Sequence, residues 1–125
     1  MVLNLKGIIV SGKQGSTKWM PEYLPNLFPG TLNVHLYQPI TKINWSEQFY
    51  HQTFQRYFLK HPCKINNTRA FLIVPPLCTS KTNLSRMKNP NLAEIAHAQK
   101  LREMLNLSTG DEVEIEIESG FDNDT

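Results

Sequence analysis

The chain has 125 residues, of which 40% are apolar and 19% are charged, and its net charge is +2. This length is enough for one domain with one modest core, and the composition excludes collagen-like, coiled-coil and wholly disordered chains. The weak charge does not indicate a nucleic-acid or membrane partner. No apolar stretch reaches the roughly 20 residues of a spanning helix, and no secretory signal pattern opens the chain. We therefore expect a cytoplasmic protein whose two cysteines, Cys63 and Cys78, are reduced.

The first half of the chain predicts short strands separated by polar loops. Residues 5–10 form a strand pattern, which leads into a loop of small and basic residues at 13–18. The two prolines within 19–28 allow at most a short helical turn. Residues 31–36 alternate as a strand does after the Pro-Gly turn. Both helical and strand patterns fit 43–59, and the periodicity does not choose between them.

The second half begins with a predicted hairpin. Residues 61–65 and 69–74 read as two strands around an Asn66-Asn67 turn, and Pro75-Pro76 is predicted to end the second strand. The polar residues that follow, up to 91, are predicted to be a loop.

A helix is predicted from Asn89-Pro90 to Asn106, because apolar residues recur at three- and four-residue spacing. This apolar stripe consists of Leu92, Ile95, Ala98, Leu101 and Leu105. Residues 112–118 then alternate apolar and glutamate positions, which predicts a strand with Val113, Ile115 and Ile117 inward. We expect a single domain over 1–119 and a frayed acidic tail over 120–125. Many short strands with one main α-helix indicate a mainly β fold, a small β-barrel carrying that helix.

Several residue groups have the chemistry of a binding site. Thr31 and Asn33 are two apart in a predicted strand, so they share a face, and their neutral oxygens suit Mg²⁺. An ordinary strand explains the same spacing. Glycines and lysines from Ser11 to Lys18 are typical of an anion-binding loop, although a solvated loop fits equally. On the predicted helix, Glu94 and His97 share a face that is either a ligand site or plain surface.

Taken in order, these motifs resemble the archaeal-type CTP-dependent riboflavin kinases, from about residue 5 to 119. The resemblance is carried by Gly7-x-x-x-Ser11-Gly12, Pro29-Gly-Thr-Leu-Asn33, Pro62-Cys63, Pro76-x-x-Thr79, Glu94-Ile-x5-Leu101-Arg-Glu103 and Leu107-x-x-Gly-Asp-x-Val-x-Ile115. It implies a six-stranded cradle-loop β-barrel and an enzyme that transfers the γ-phosphoryl group of CTP to riboflavin, giving FMN and CDP.

The resemblance also implies site residues. Thr31 and Asn33 would ligate a Mg²⁺ cofactor, Thr79 and Glu94 would contact the flavin, and Glu94 is the candidate catalytic residue. The nucleotide would lie against two segments, and their residues are Gly12, Lys13, Gln14, Gly15, Ser16, Thr17, His97, Ala98, Gln99 and Lys100. We expect a monomer that binds riboflavin or FMN and CTP or CDP, with no nucleic-acid or membrane partner.

Two alternative functions remain open from the sequence. Gln14 and Ser16 stand where the family has glycines, which favours a flavin- or nucleotide-binding module with impaired catalysis. A DNA-binding regulator is the less favoured alternative, because the glutamates at 112–118 face outward and no basic stripe is visible.

Overall fold

The computed structural model describes residues 2–12, 20–40, 47–52, 56–78 and 91–118. Seven strands and two short helices follow one another along these residues. They are β1 (Val2–Val10), α1 (Met20–Tyr23), β2 (Leu32–Leu36), β3 (Glu47–His51), β4 (Arg56–Ile65), β5 (Thr68–Cys78), β6 (Leu92–Ala96), α2 (Leu101–Met104) and β7 (Glu112–Glu118). Neither helix is long and apolar enough to cross a membrane.

Six of the strands close into an antiparallel barrel. Their order around the barrel is β4-β5-β6-β2-β1-β7, and β7 pairs with β4 to complete the ring. Closure leaves these strands without a free edge along the paired segments, so their backbone groups find partners within the sheet. The expected six-stranded barrel is therefore confirmed.

The seventh strand, β3, pairs with β4. One edge of β4 pairs with β5, and the other edge is shared by β3 near Tyr57 and by β7 near Lys64. A ten-residue strand is long enough for both partners. The segment 43–59, whose sequence fitted both helix and strand patterns, therefore contains strand β3 and the start of β4 in its described part. Strand β3 lies outside the closed ring.

The barrel interior is filled by alternate residues of its strands, as the pattern of β7 predicts. Val113, Ile115 and Ile117 are at most 2% exposed. The glutamates between them, Glu114 and Glu116, lie on the outer face. This alternation confirms the predicted orientation, because successive side chains of a strand point to opposite faces.

A second, smaller apolar cluster lies on the outside of the barrel. Met20 and Leu24, from α1 and the residue after it, pack on Ile73 of β5 and Ala96 of β6. Phe49 of β3 packs against the same cluster. The cluster holds α1 and the segment before β2 against the outer wall, next to the predicted site residues of β2.

The long helix predicted over 90–106 is wrong for most of its length. Leu92–Ala96 is strand β6, paired with β2 on one side and β5 on the other, and within the described residues 91–106 only Leu101–Met104 is helical. In β6 the buried positions Ala93 and Ile95 alternate, and this fits the sequence as well as helical spacing does. The two neighbouring strands satisfy the backbone of β6, so tertiary pairing decides in favour of the strand.

The β4–β5 hairpin is confirmed, but its second strand is longer than predicted. Asn66 and Asn67 connect the strands with φ values of 45° and 68°, as a two-residue hairpin turn requires. Pro75-Pro76 does not end β5, which continues to Cys78. The pairing shifts register between Tyr57 and Leu59, which are opposite this proline segment, and prolines are tolerated at such irregular positions.

Candidate functional site

The Thr31–Asn33 pair lies on the outer face of the barrel wall. Leu32 and Val34 are buried in the interior, whereas Thr31 and Asn33 are only half-buried. Asn33 is directly opposite Glu94 in the β2–β6 ladder. The strand alternation that the sequence predicted therefore places both side chains outside the core, where a ligand can reach them.

Glu94 joins this pair through a hydrogen bond. The Thr31 hydroxyl donates to Glu94 Oε1 at 3.0 Å. Burial of the Glu94 carboxyl raises its pKa above the usual range, and the hydrogen bond from Thr31 opposes that shift. Because the hydroxyl gives its proton to Glu94, the oxygen lone pairs of Thr31 are left for another partner.

Gly12 approaches the same cluster from the end of β1. A Cβ atom at Gly12 would lie only 2.1 Å from Asn33 Nδ2. Val10, two residues before Gly12, is directly opposite Asn33 in the β1–β2 ladder. Only glycine permits this approach, so the chain after β1 begins directly against the Asn33 amide.

A cavity of about 150 Å³ opens beside Thr31. Its wall comes from the segment before β2, from β6 and from the connection between β6 and α2. The polar and aromatic residues that line it are Phe28, Thr31, His97, Gln99, Lys100 and Arg102. Cationic and hydrogen-bonding groups therefore share one cavity with the Thr31 hydroxyl.

The connection from His97 to Lys100 is held in place by short hydrogen bonds. His97 O accepts from the backbone N–H of Phe28 at 2.8 Å, and His97 Nδ1 accepts from the N–H of Gln99 at 2.9 Å. Lys100 forms an exposed ion pair with Glu103 at 3.5 Å. These residues lie on a loop rather than on the predicted helix. Glu94 lies in strand β6 and His97 lies in the loop after it, so the two residues do not share a helical face as predicted.

The structure brings together part of the predicted site. Gly12, Thr31, Asn33 and Glu94 form one cluster. In the predicted nucleotide-binding segment, His97, Gln99 and Lys100 line the adjoining cavity, and Ala98 is an exposed residue between them. Other predicted residues lie outside the described part of the chain: Lys13, Gln14, Gly15, Ser16, Thr17 and Thr79.

One contact at this site was not predicted from the sequence. The Arg102 guanidinium donates from Nη2 to the carbonyl of Val10 at 3.2 Å, across 92 positions of sequence. The sequence places Arg102 only on the polar side of an apolar stripe. No local pattern indicates a contact with the end of β1, because that contact depends on the closed barrel.

The donor set of the cluster suits a hard cation held partly by a substrate. Within the described ranges, no group of three or more His, Cys, Asp and Glu side chains has the arrangement of a metal site. Thr31, Asn33 and Glu94 instead offer two neutral oxygens and one carboxylate. This set fits Mg²⁺, which keeps several waters and takes further ligands from phosphates.

The chain matches the model of a known protein family. Residues 20–117 match the model of the CTP-dependent riboflavin kinase family, whose description is "domain of unknown function DUF120". The match covers more than half of the chain, so the protein belongs to this family. It includes Thr31, Asn33, Glu94 and the residues around the cavity, and it begins after Gly12. No curated protein matches the chain.

Proposed function

We propose that this protein is an enzyme that transfers the γ-phosphoryl group of CTP to riboflavin, giving FMN and CDP, with Mg²⁺ as cofactor. Family membership supports the reaction class. The observation that carries the proposal is the Thr31–Glu94 hydrogen bond beside Asn33. A hydroxyl, an amide and a half-buried carboxyl are the polar groups that a phosphate-bound cation and an alcohol acceptor need.

The nucleotide is proposed to lie between the Gly12 segment and the loop from His97 to Lys100. Gly12 lets the backbone come close to phosphate oxygens, and Lys100 supplies a positive charge at the cavity. Phosphoryl transfer depends mostly on positioning and on neutralising phosphate charge. A cavity whose walls are fixed by the His97 hydrogen bonds supplies this positioning.

Thr31 and Asn33 are the proposed Mg²⁺ ligands. When bound, Mg²⁺ neutralises charge on the transferring phosphoryl group and orients it. The hydrogen bond to Glu94 orients the Thr31 oxygen, and contact with Gly12 limits where the Asn33 amide can move. These two contacts hold the ligand atoms in place before substrate arrives.

Glu94 is the proposed partner of the riboflavin hydroxyl that attacks the phosphoryl group. Its raised pKa means that burial disfavours the charged carboxylate, which makes the carboxylate a better proton acceptor. Glu94 accepts a hydrogen bond from the ribityl hydroxyl and orients it toward the phosphate. Thr79 is proposed as a second flavin contact, on the basis of the family motif alone.

The test is formation of FMN from riboflavin, CTP and Mg²⁺ by wild type, Asn33→Ala and the control Asn4→Ala. Asn4 is an exposed asparagine of β1 away from the cluster. We expect Asn33→Ala to lose about 100-fold or more in turnover, because a ligand to the phosphate-bound cation is removed. Asn4→Ala should retain wild-type turnover, and both variants should melt close to wild type.

Two results would contradict the proposal. Turnover that survives Asn33→Ala would reject the metal assignment. If wild type quenches flavin fluorescence but forms no FMN in a sensitive assay, the protein is a binding module without catalysis.

A further inference from the structure

Strand β6 carries Glu94, and its two neighbouring strands pair with different lengths of it. The described ladder with β5 runs from Ala96 to the pair formed by Ile73 and Glu94. The ladder with β2 continues two residues further, to the pair formed by His35 and Leu92. In the described ladders, the start of β6 just before Glu94 is therefore paired on the β2 side only.

The sequence of β5 explains why its ladder with β6 stops there. Continued by two residues, the same register would place Pro75 opposite Leu92, and Pro76 would then come opposite Asn91. Proline has no backbone N–H, so neither proline can donate a hydrogen bond to the start of β6. Pro75-Pro76 thus removes the donors that β5 would otherwise offer at this point.

Asn91 provides a second attachment of this segment to β2. Its backbone carbonyl accepts a hydrogen bond from the Leu36 N–H at 2.6 Å. Its side-chain Nδ2 donates in turn to the Leu36 carbonyl at 3.3 Å, in a partly buried position. Asn91 therefore binds both backbone groups of the last residue of β2, and this pair closes the end of the β2–β6 ladder.

The register of this ladder decides the geometry of the site. A slip of one residue would turn Glu94 to the interior, and a slip of two would place an apolar residue opposite Asn33. Either slip would separate the Glu94 carboxyl from the Thr31 hydroxyl, which are joined by a hydrogen bond of 3.0 Å. Asn91 resists such movement from three residues away, at the end of β6 where β5 gives no support.

We infer that Asn91 is a positioning residue: its side-chain amide fixes the start of β6 on β2 and so holds Glu94 beside Thr31. This inference deepens the proposed function, and it rests on that function only for the reaction that the positioned carboxyl serves. Asn91 does not line the cavity beside Thr31, so its effect on the reaction passes through Glu94.

The first test is amide hydrogen exchange in wild type, Asn91→Ala, Asn91→Asp and the control Asn4→Ala, which changes an exposed asparagine of β1. An ionised aspartate has the shape of asparagine but no hydrogen to donate to the Leu36 carbonyl. Both Asn91 variants should speed exchange at Leu36 and at the start of β6 by about 5- to 10-fold, the effect of one neutral hydrogen bond on a local opening.

Exchange elsewhere shows whether the effect is local. Amides of the β1–β7 ladder should exchange at the wild-type rate in both Asn91 variants, and Asn4→Ala should match wild type throughout β6. Uniform acceleration across the barrel would mean that Asn91 contributes only to general stability, and it would overturn the inference. Unchanged exchange at the start of β6 would overturn it as well.

The second test is FMN formation by the Asn91 variants, alone and combined with Glu94→Gln. Alone, each Asn91 variant should lower kcat by about 10-fold and keep the KM for CTP within about two-fold, because a reacting group is displaced while the cavity is unchanged. In the Glu94→Gln background the same changes should lower kcat by less than about two-fold, because the group that they displace is already altered. An equal loss in both backgrounds would overturn the inference.

These measurements separate the inference from the proposed function. If wild type forms no FMN, the kinase proposal fails, and acceleration confined to the start of β6 still supports the role of Asn91. If wild type forms FMN and the Asn91 variants keep full kcat, the kinase proposal stands and the inference fails. Melting temperatures show whether each variant is folded, and Asn91→Asp, which keeps the size of the side chain, carries the test if Asn91→Ala does not fold.

Discussion

Gly12→Ala tests the site geometry without removing any functional group. The new Cβ would lie 2.1 Å from Asn33 Nδ2, whereas ordinary van der Waals contact begins near 3.4 Å. The Asn33 amide must therefore retreat by roughly 1.3 Å. An alanine methyl group adds no charge and no hydrogen-bonding group, so the expected effect is one of position alone.

The magnitude follows from that displacement. A misplacement of about 1 Å in a positioning group costs roughly 100-fold in rate, or about 2.7 kcal/mol of transition-state stabilisation. Folding should be almost unaffected, because the displaced atom ends a short side chain on the outer face. Gly12 does not have a positive φ, so alanine at this position brings no strain to the backbone.

The assay is steady-state FMN formation together with thermal melting, and Gly110→Ala is the control. Gly110 has a φ of 98°, and no atom lies within 4 Å of its Cβ position. This control should lose roughly 1–2 kcal/mol of stability through backbone strain and keep its turnover. The two glycines thus predict opposite outcomes. Full activity in Gly12→Ala would refute the contact between Gly12 and the Asn33 amide.

Three further predictions concern burial and the hairpin turn. Burial raises the pKa of Glu94, so the folded protein holds the carboxyl proton more tightly than the unfolded chain does. The contribution of Glu94 to the free energy of unfolding therefore falls as pH rises from the ordinary carboxyl range through the raised pKa. Glu94→Gln should flatten this pH dependence of the melting temperature and lower turnover by about 100-fold or more, and an unchanged pH slope would contradict the cause. Burial raises the pKa of Cys63 to about 12, so in a Cys78→Ser background a thiol reagent at pH 8 should react only after denaturation. Asn66→Ala should lower the free energy of urea unfolding by about 1–2 kcal/mol, because φ is 45° and the Asn66 side chain accepts a hydrogen bond from the Glu114 N–H. Asn66→Gly should recover the part that comes from backbone strain, since glycine adopts positive φ freely. Equal losses in the two variants would refute the contribution of backbone strain.

Strands with strict alternation were predictable from local sequence. In β7 every second residue is apolar, and the structure buries these residues at the predicted positions. The Asn66-Asn67 turn was predictable for a similar reason, because asparagine tolerates positive φ better than most residues. Both signals depend on a few neighbouring residues. The six-stranded barrel itself was expected from the family resemblance, since alternation shows which face is buried but not which strands pair.

The segment from Leu92 to Ala96 shows why one local prediction failed. Ala93 and Ile95 alternate, but Leu92 and Ile95 also have helical spacing, and five residues are too few to separate the two periods. The decision came from β2 and β5, which offer hydrogen-bonding partners on both sides of the segment. The residues opposite Glu94, Asn33 in β2 and Ile73 in β5, lie 61 and 21 positions away, so no short window around residue 94 contains the deciding information.

The sequence by itself determined that Thr31 and Asn33 share one face of a strand, because side-chain alternation is a local property of an extended backbone. Only the tertiary structure brought Glu94 to Thr31, across 63 positions, and Arg102 to Val10, across 92. The first contact exists because β2 pairs with β6, and the second because the chain after β6 reaches the end of β1. The polar residue types of the site can be read from the chain, whereas the distances between them arise from the order in which the strands pair in the barrel.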